Sequence, residues 1–247
     1  MPELANIERL DEYVRESVAD YVNRLLELHG DNLLSVAVYG SAARGDFTPK
    51  RSDVNLAVLL RDLKLDDLTG SLKLVARGIK RRIVAPLFLT REYISSSLDV
   101  FPLEFMDMRD SHVILFGEDF LADLKIEIPD LRRQCEREMK GLLLRLRQAY
   151  LELGRSAKGI ELLLHKSLNS LIPILRGVLT VKGVAAPEGK EGTLRAAAGE
   201  CEIDAAPLLA VLRDKVGDEK IEGKDAAQVL EDVLAQVRKL AKAVDAL

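Results

Sequence analysis

The 247-residue chain predicts an α/β domain followed by an α-helical bundle domain, and three observations carry that expectation. Two apolar runs, at 33–39 and from 53 onward, flank a small-residue turn and read as neighbouring buried strands. Stretches with helical spacing precede and follow them, so helix and strand alternate through the first half. From residue 130 to the end the pattern is helical throughout, broken only at glycine-containing connections. The expected division is one domain over about 1–125 and a helical bundle over about 130–247.

In order, residues 4–29 repeat Ile7, Leu10, Val14, Val18, Tyr21, Leu25 and Leu28 at helical spacing and stop at Gly30, which predicts one helix packed on the sheet. The run 33–39 ends at Gly40-Ser41, after which Ala42 and Ala43 favour a short helix. The loop 46–51 is rich in turn formers and charge, and the next strand begins at Asp53. Alternate side chains of a strand share a face, so Asp53 and Asn55 point one way while Val54 and Leu56 point into the core. Residues 64–80 read as a helix despite Gly70 and Gly78, and 81–89 as a third strand in which Pro86 marks an edge or a bulge. A short turn or helix at 90–98 leads to FPLEFMDM, 101–108, expected as a strand with Glu104, Met106 and Met108 on one face and Phe105 and Asp107 on the other. A further apolar run, HVILFG, closes the first half. Helices are expected at 131–153, 157–181, 193–199, 207–216 and 225–246.

Composition bounds the function. A hydrophobic content of 48% supplies a sizeable core. The net charge of −4 argues against broad attraction to nucleic acid, and with no Trp and 4% aromatics there is little on which to stack bases. Cys135 and Cys201 stand far apart without a Cys or His at zinc-ligand spacing and read as reduced thiols. The N-terminus MPELANIERLDEY, acidic from its third residue, reads as neither a signal peptide nor a membrane span, which predicts a cytoplasmic protein with no membrane partner. His29, His112 and His165 are isolated from one another and are expected in structural roles. Lys166, Asn169, Pro173 and Arg176 share one face of the helix 157–181, either lining a cleft or forming the solvated side of a bundle helix. Leu-rich helical surface such as 142–146 suits a homo-oligomer as well as a core.

The turn at Gly40 and the strand after it suit phosphate chemistry. Gly40 lacks a Cβ and lets backbone approach a phosphate, the N–H groups after Ser41 attract anions, and Arg44 adds a fixed positive charge. Oxygen donors on the adjacent strand are hard ligands of the kind Mg²⁺ takes.

Gly40-Ser41, Arg44-Gly45 and Ser52-Asp53-Val54-Asn55-Leu56 resemble the signature of the nucleotidyltransferase superfamily of the DNA polymerase β type, Gly-Ser followed after a spacer by Asp-x-Asp on the next strand. Asn55 stands where that family has its second carboxylate and offers a neutral carbonyl oxygen. The surrounding residues are similar to the small-substrate branch that contains the aminoglycoside nucleotidyltransferases and the minimal nucleotidyltransferases of toxin–antitoxin pairs. Spectinomycin and streptomycin adenylyltransferases place a glutamate after Pro-Leu on the corresponding strand, which points to Glu104 here, with Asp107 as the fallback.

The resemblance implies a nucleotidyltransferase-fold domain with a mixed sheet, and an activity. A nucleoside monophosphate, AMP from ATP, would pass to a hydroxyl of an acceptor, small molecule or protein. Asp53, Asn55 and Glu104 would hold Mg²⁺, Gly40, Ser41 and Arg44 would cradle the triphosphate, and Asp53 and Glu104 would be the catalytic carboxylates. The alternative is a catalytically weakened domain, with Asn55 as the cause, acting as a nucleotide- or partner-binding module.

Overall fold

The computed structural model describes residues 4–45, 47–49, 52–154 and 156–247; of the loop 46–51, Asp46, Lys50 and Arg51 lie outside the described residues. The chain divides into two compact units, Met1–Ile126 and Glu127–Leu247.

The first unit is built on a four-stranded mixed sheet. β1 (Leu33–Tyr39) is antiparallel to β2 (Asn55–Leu60), while β3 (Leu87–Leu89) runs parallel to β2. β4 (His112–Gly117) pairs antiparallel with the other side of β1, giving the order β3-β2-β1-β4. Both sheet faces are covered, which is why β1 and β2 read as continuous apolar runs rather than alternating ones. On one face Val36, Val38, Leu56 and Val58 pack with Val14, Val18, Tyr21 and Leu25 of α1 (Glu12–His29) and Leu74 of α3 (Leu65–Lys80). On the other, Ala37, Ala57 and Leu59 pack with Ile94 of α4 (Arg91–Ser97) and with Phe105 and Met108 of α5 (Pro102–Asp110). Full burial of a Val or Leu side chain such as Val36 or Leu59 is worth ~1.5–3 kcal/mol.

α1 starts later than the apolar spacing predicts. Asp11 accepts a hydrogen bond from the Tyr13 N–H at 2.9 Å and caps the helix there. Ile7 and Leu10, which fit the helical spacing, belong instead to a 3₁₀ turn and its end, and still reach the same core. α3 matches its expectation, and its two glycines differ in kind. A side chain at Gly78 would meet the Tyr21 ring at 2.5 Å, so this glycine lets α3 lie directly on α1, whereas one at Gly70 would make only an ordinary contact.

Two strand expectations are corrected. Of 81–89 only Leu87–Leu89 join the ladder, with Val54 and Ile83 forming an isolated parallel bridge. Arg82 adopts a left-handed backbone, φ 63°, and Pro86 has no N–H to donate; β3 is the sheet edge that Pro86 suggests. The segment 101–108 is not a strand but helix α5. Pro102 opens it, where its fixed φ suits a first helical turn. Pro102, Leu103, Phe105, Met106 and Met108 are all buried.

The second unit consists of five helices among the described residues: α6 (Ile128–Leu153), α7 (Ala157–Val181), α8 (Gly189–Glu200), α9 (Ala206–Val216) and α10 (Ala226–Asp245). α6, α7 and α10 pack on one another, and α8 and α9 lean on α7. Leu142, Leu164, Leu168, Val233 and Val237 meet in its core. Leu142 and Leu146 are therefore core residues, while Leu144 between them is exposed. Lys166 and Asn169 face solvent, Pro173 and Arg176 are half-buried, and Asn169 accepts a hydrogen bond from Lys215. Cys135 and Cys201 are free; burial pushes the Cys135 thiol up to about 12. No helix among the described residues is long and apolar enough to cross a membrane.

Candidate active site

β1 delivers the chain to Gly40, whose backbone, φ 75° and ψ −146°, lies where side chains other than hydrogen are strained. α2 (Ser41–Arg44) is a single turn, closed by the Ala43 and Arg44 N–H groups donating to the Gly40 carbonyl at 3.1 and 3.0 Å. Four residues sum to little macrodipole. What the turn offers an anion is close backbone approach and the Arg44 charge.

Asn55 is the cross-strand partner of Tyr39, and a Cβ at Gly40 would lie 3.1 Å from its amide nitrogen. The turn and the Asn55 side chain are thus in contact distance of one another. Asp53 sits two residues earlier, before the ladder begins. Val54 and Leu56 are buried while Asp53 is exposed and Asn55 half-buried, as strand alternation requires.

Asp53 does not stand alone. Arg82 Nη2 lies 2.9 Å from its Oδ1, while Arg82 Nε donates to the Ser52 carbonyl at 2.8 Å. Both side chains of the pair are more than a third exposed, so it is worth at most ~1 kcal/mol. Nothing in the sequence singles out Arg82, because a left-handed arginine leaves no compositional trace.

The other cation of the site, Arg44, pairs with Asp107 of α5 at 2.7 Å, both side chains being four-fifths buried. Asp107 also contributes to the Tyr39 phenol, which is pushed up to about 12 by burial first and by that negative charge second. Arg109, a nearby alternative partner for Asp107, instead pairs with Asp110. Because α5 is a helix, Glu104 and Asp107 stand three residues apart on one side of it, not on the opposite faces a strand would give them. Asp107 reaches the turn through Arg44, and Glu104 is exposed in the first turn of α5.

Among the described residues, the oxygen donors that the strand sets beside the turn are the Asp53 carboxylate and the Asn55 amide, while the Asp107 carboxylate is engaged by Arg44. The flanking segment 84–89 adds no carboxylate. Mg²⁺ is held by one or two carboxylates when substrate phosphates complete its octahedron, and the half-exposed Asp53 with Asn55 beside it fits that minimal role.

The histidines make local contacts. His29 bonds Ser71 at 3.1 Å, and burial lowers its pKa. His112 bonds the Met108 carbonyl at 2.9 Å and Asp119 at 3.0 Å. His165 lies 2.5 Å from Asp214, and with Glu161 their donor atoms fall within 4.8 Å of one another, a grouping across α7 and α9 that sequence spacing does not reveal.

Known proteins resemble this chain in family signature and in fold. The family model "Nucleotidyltransferase domain" matches residues 18–101. No curated protein matches the chain by sequence. Among solved structures, spectinomycin adenyltransferase AAD(9) from Enterococcus faecialis, determined with ATP and spectinomycin, is similar with a TM-score of 0.63 at 15% identity, over 93% of this chain and 99% of that one. A nucleotidyltransferase-like protein from Exiguobacterium sibiricum gives a TM-score of 0.37 at 16% identity, over 94% of this chain and 74% of that one. Residues 18–101, which match the nucleotidyltransferase domain model, hold the Gly40 turn, Asp53 and Asn55, and the chain has a nucleotidyltransferase-like fold with a C-terminal helical region.

Proposed function

We propose that the protein binds ATP at the turn formed by residues 40–44 and transfers its nucleoside monophosphate to a hydroxyl of an acceptor, small molecule or protein. The observation that carries this reading is the placement of the Asn55 side chain beside the Gly40 turn, with Asp53 two residues away. Gly40 gives the phosphates room, Arg44 sets a positive charge beside them, and Asp53 with Asn55 supplies hard oxygen donors. Mg²⁺ held there would neutralise charge on the phosphates as pyrophosphate leaves. The acceptor hydroxyl oxygen forms the new bond to the α-phosphorus, the bond from that phosphorus to the bridging oxygen breaks, and the hydroxyl proton passes to a carboxylate. Glu104 and Asp107 are the candidates for that base; the helix puts them on one side, and Asp107 is the one in contact with Arg44. ATP binding by a small-molecule transferase of similar fold is consistent with this reading, and a cytoplasmic setting, where ATP is at hand, goes with it.

A second reading, nucleotide binding without turnover, is favoured by one feature: the carboxylate that precedes β2, Asp53, carries Arg82, and its neighbour is Asn55. Release of pyrophosphate from ATP, measured against a panel of hydroxylated acceptors, separates the two. Turnover by the wild type that falls at least tenfold in Asp53→Ala supports transfer. A silent wild type with activity uncovered by Asn55→Asp supports the binding reading.

A further inference from the structure

The strongest feature outside the Gly40 turn is a groove of about 320 Å³ between α1 and α3. Arg24 enters from α1, Arg77 and Lys80 from the last turn of α3, and Arg81 from the residue after it; among the described residues Asp20 is the sole carboxylate lining it. Asp20 is taken up by Arg24 at 3.0 Å and Arg81 at 3.1 Å. Arg77 and Lys80 have no partner among the described residues. Four cations against one anion concentrate a charge of +3 on a chain whose net charge is −4.

Basic residues in the last turn of a helix compensate its dipole, which accounts for Arg77 and Lys80. Arg24, on a different helix, is held by its i,i+4 pair with Asp20. Neither accounts for Tyr21. This side chain lines the groove, is 3% exposed, and its hydroxyl has no hydrogen-bond partner among the described residues. An unpaired buried hydroxyl is costly and is normally satisfied. Burial pushes the phenol up to about 12, so it remains an O–H donor at neutral pH.

We infer that this groove binds a small anion bearing a diphosphate group, gripped by Arg77, Lys80 and Arg81 and closed at its floor by the Tyr21 hydroxyl. The concave volume suits a compact anion, and among the described residues no exposed aromatic lines it to stack a base. Two or more guanidinium and ammonium groups around one anion match the charge of a diphosphate better than that of a carboxylate. Arg81 is followed directly by Arg82, the partner of Asp53, so an occupied groove and the candidate active site share one turn of chain.

The test is calorimetric titration of inorganic pyrophosphate into the full chain at fixed ionic strength with chelator present. Wild type, the Arg77→Gln/Lys80→Gln double variant, Tyr21→Phe and Arg44→Ala are compared. One pyrophosphate should bind the wild type, with the double variant weakened roughly tenfold or more and Tyr21→Phe several-fold. Arg44→Ala should leave the affinity unchanged. No binding to the wild type, or binding insensitive to the groove substitutions, overturns the inference. So does binding abolished by Arg44→Ala, which assigns the anion to the Gly40 turn. Because Arg44→Ala disables the proposed nucleotide site and leaves the groove intact, the two readings fail separately.

Discussion

Gly40 and Asp53 set what the site can do. A side chain at Gly40 faces two obstacles, a φ of 75° and the Asn55 amide at 3.1 Å. Gly40→Ala should lower the stability measured by urea denaturation by ~1–2 kcal/mol. It should also weaken ATP binding, because the added methyl occupies the space where backbone would meet phosphate. Asp53 carries a competing cation. Removing it in Arg82→Gln should raise the affinity for ATP in the presence of Mg²⁺ by up to ~5-fold, the equivalent of an exposed ion pair. An unchanged affinity in calorimetry would mean that Arg82 swings away at no cost.

Among the elements, α5 decides which carboxylates face the turn. Phe105 is buried against the sheet, so Phe105→Ala should cost ~3–5 kcal/mol in thermal or urea unfolding. If Asp107 is the base, Asp107→Asn should reduce turnover far more than Glu104→Gln; the reverse ratio would restore Glu104. This helix is hidden from sequence reasoning because its buried positions run nearly all the way round. Eight mostly apolar residues do not separate a period of 2 from one of 3.6. β1, α3 and α7 are legible because long amphipathic or continuously apolar runs leave one reading, and the Gly40-Ser41 turn is legible from its small residues. The Arg44–Asp107 pair joins positions 63 apart, and the Arg82 conformation goes with hydrogen bonds to Ser52 and Val54, some thirty positions earlier. Neither has a local signature.

For the molecule as a whole, the two compact units and the uneven charge matter most. The acidic total hides the basic groove between α1 and α3, so net charge argues against broad polyanion binding without excluding a local site. Two of the five tyrosines, Tyr21 and Tyr39, are held neutral up to about 12. Their folded pKa values lie above the unfolded value of ~10, so the unfolded chain gives up these protons first and stability should fall as pH rises from ~10 through about 12. Phenolate absorbance of the native protein should show these two groups ionising late, together with the onset of alkaline unfolding. His29 acts at the other end: its lowered pKa contributes stability that is present above its unfolded value of ~6.5 and is lost as pH falls below it.

The most direct measurement is calorimetric titration of ATP into the wild type and Asp53→Ala, each with and without Mg²⁺. Binding that needs both the cation and Asp53 is the expected result. No binding in any combination would contradict a nucleotide site at the Gly40 turn.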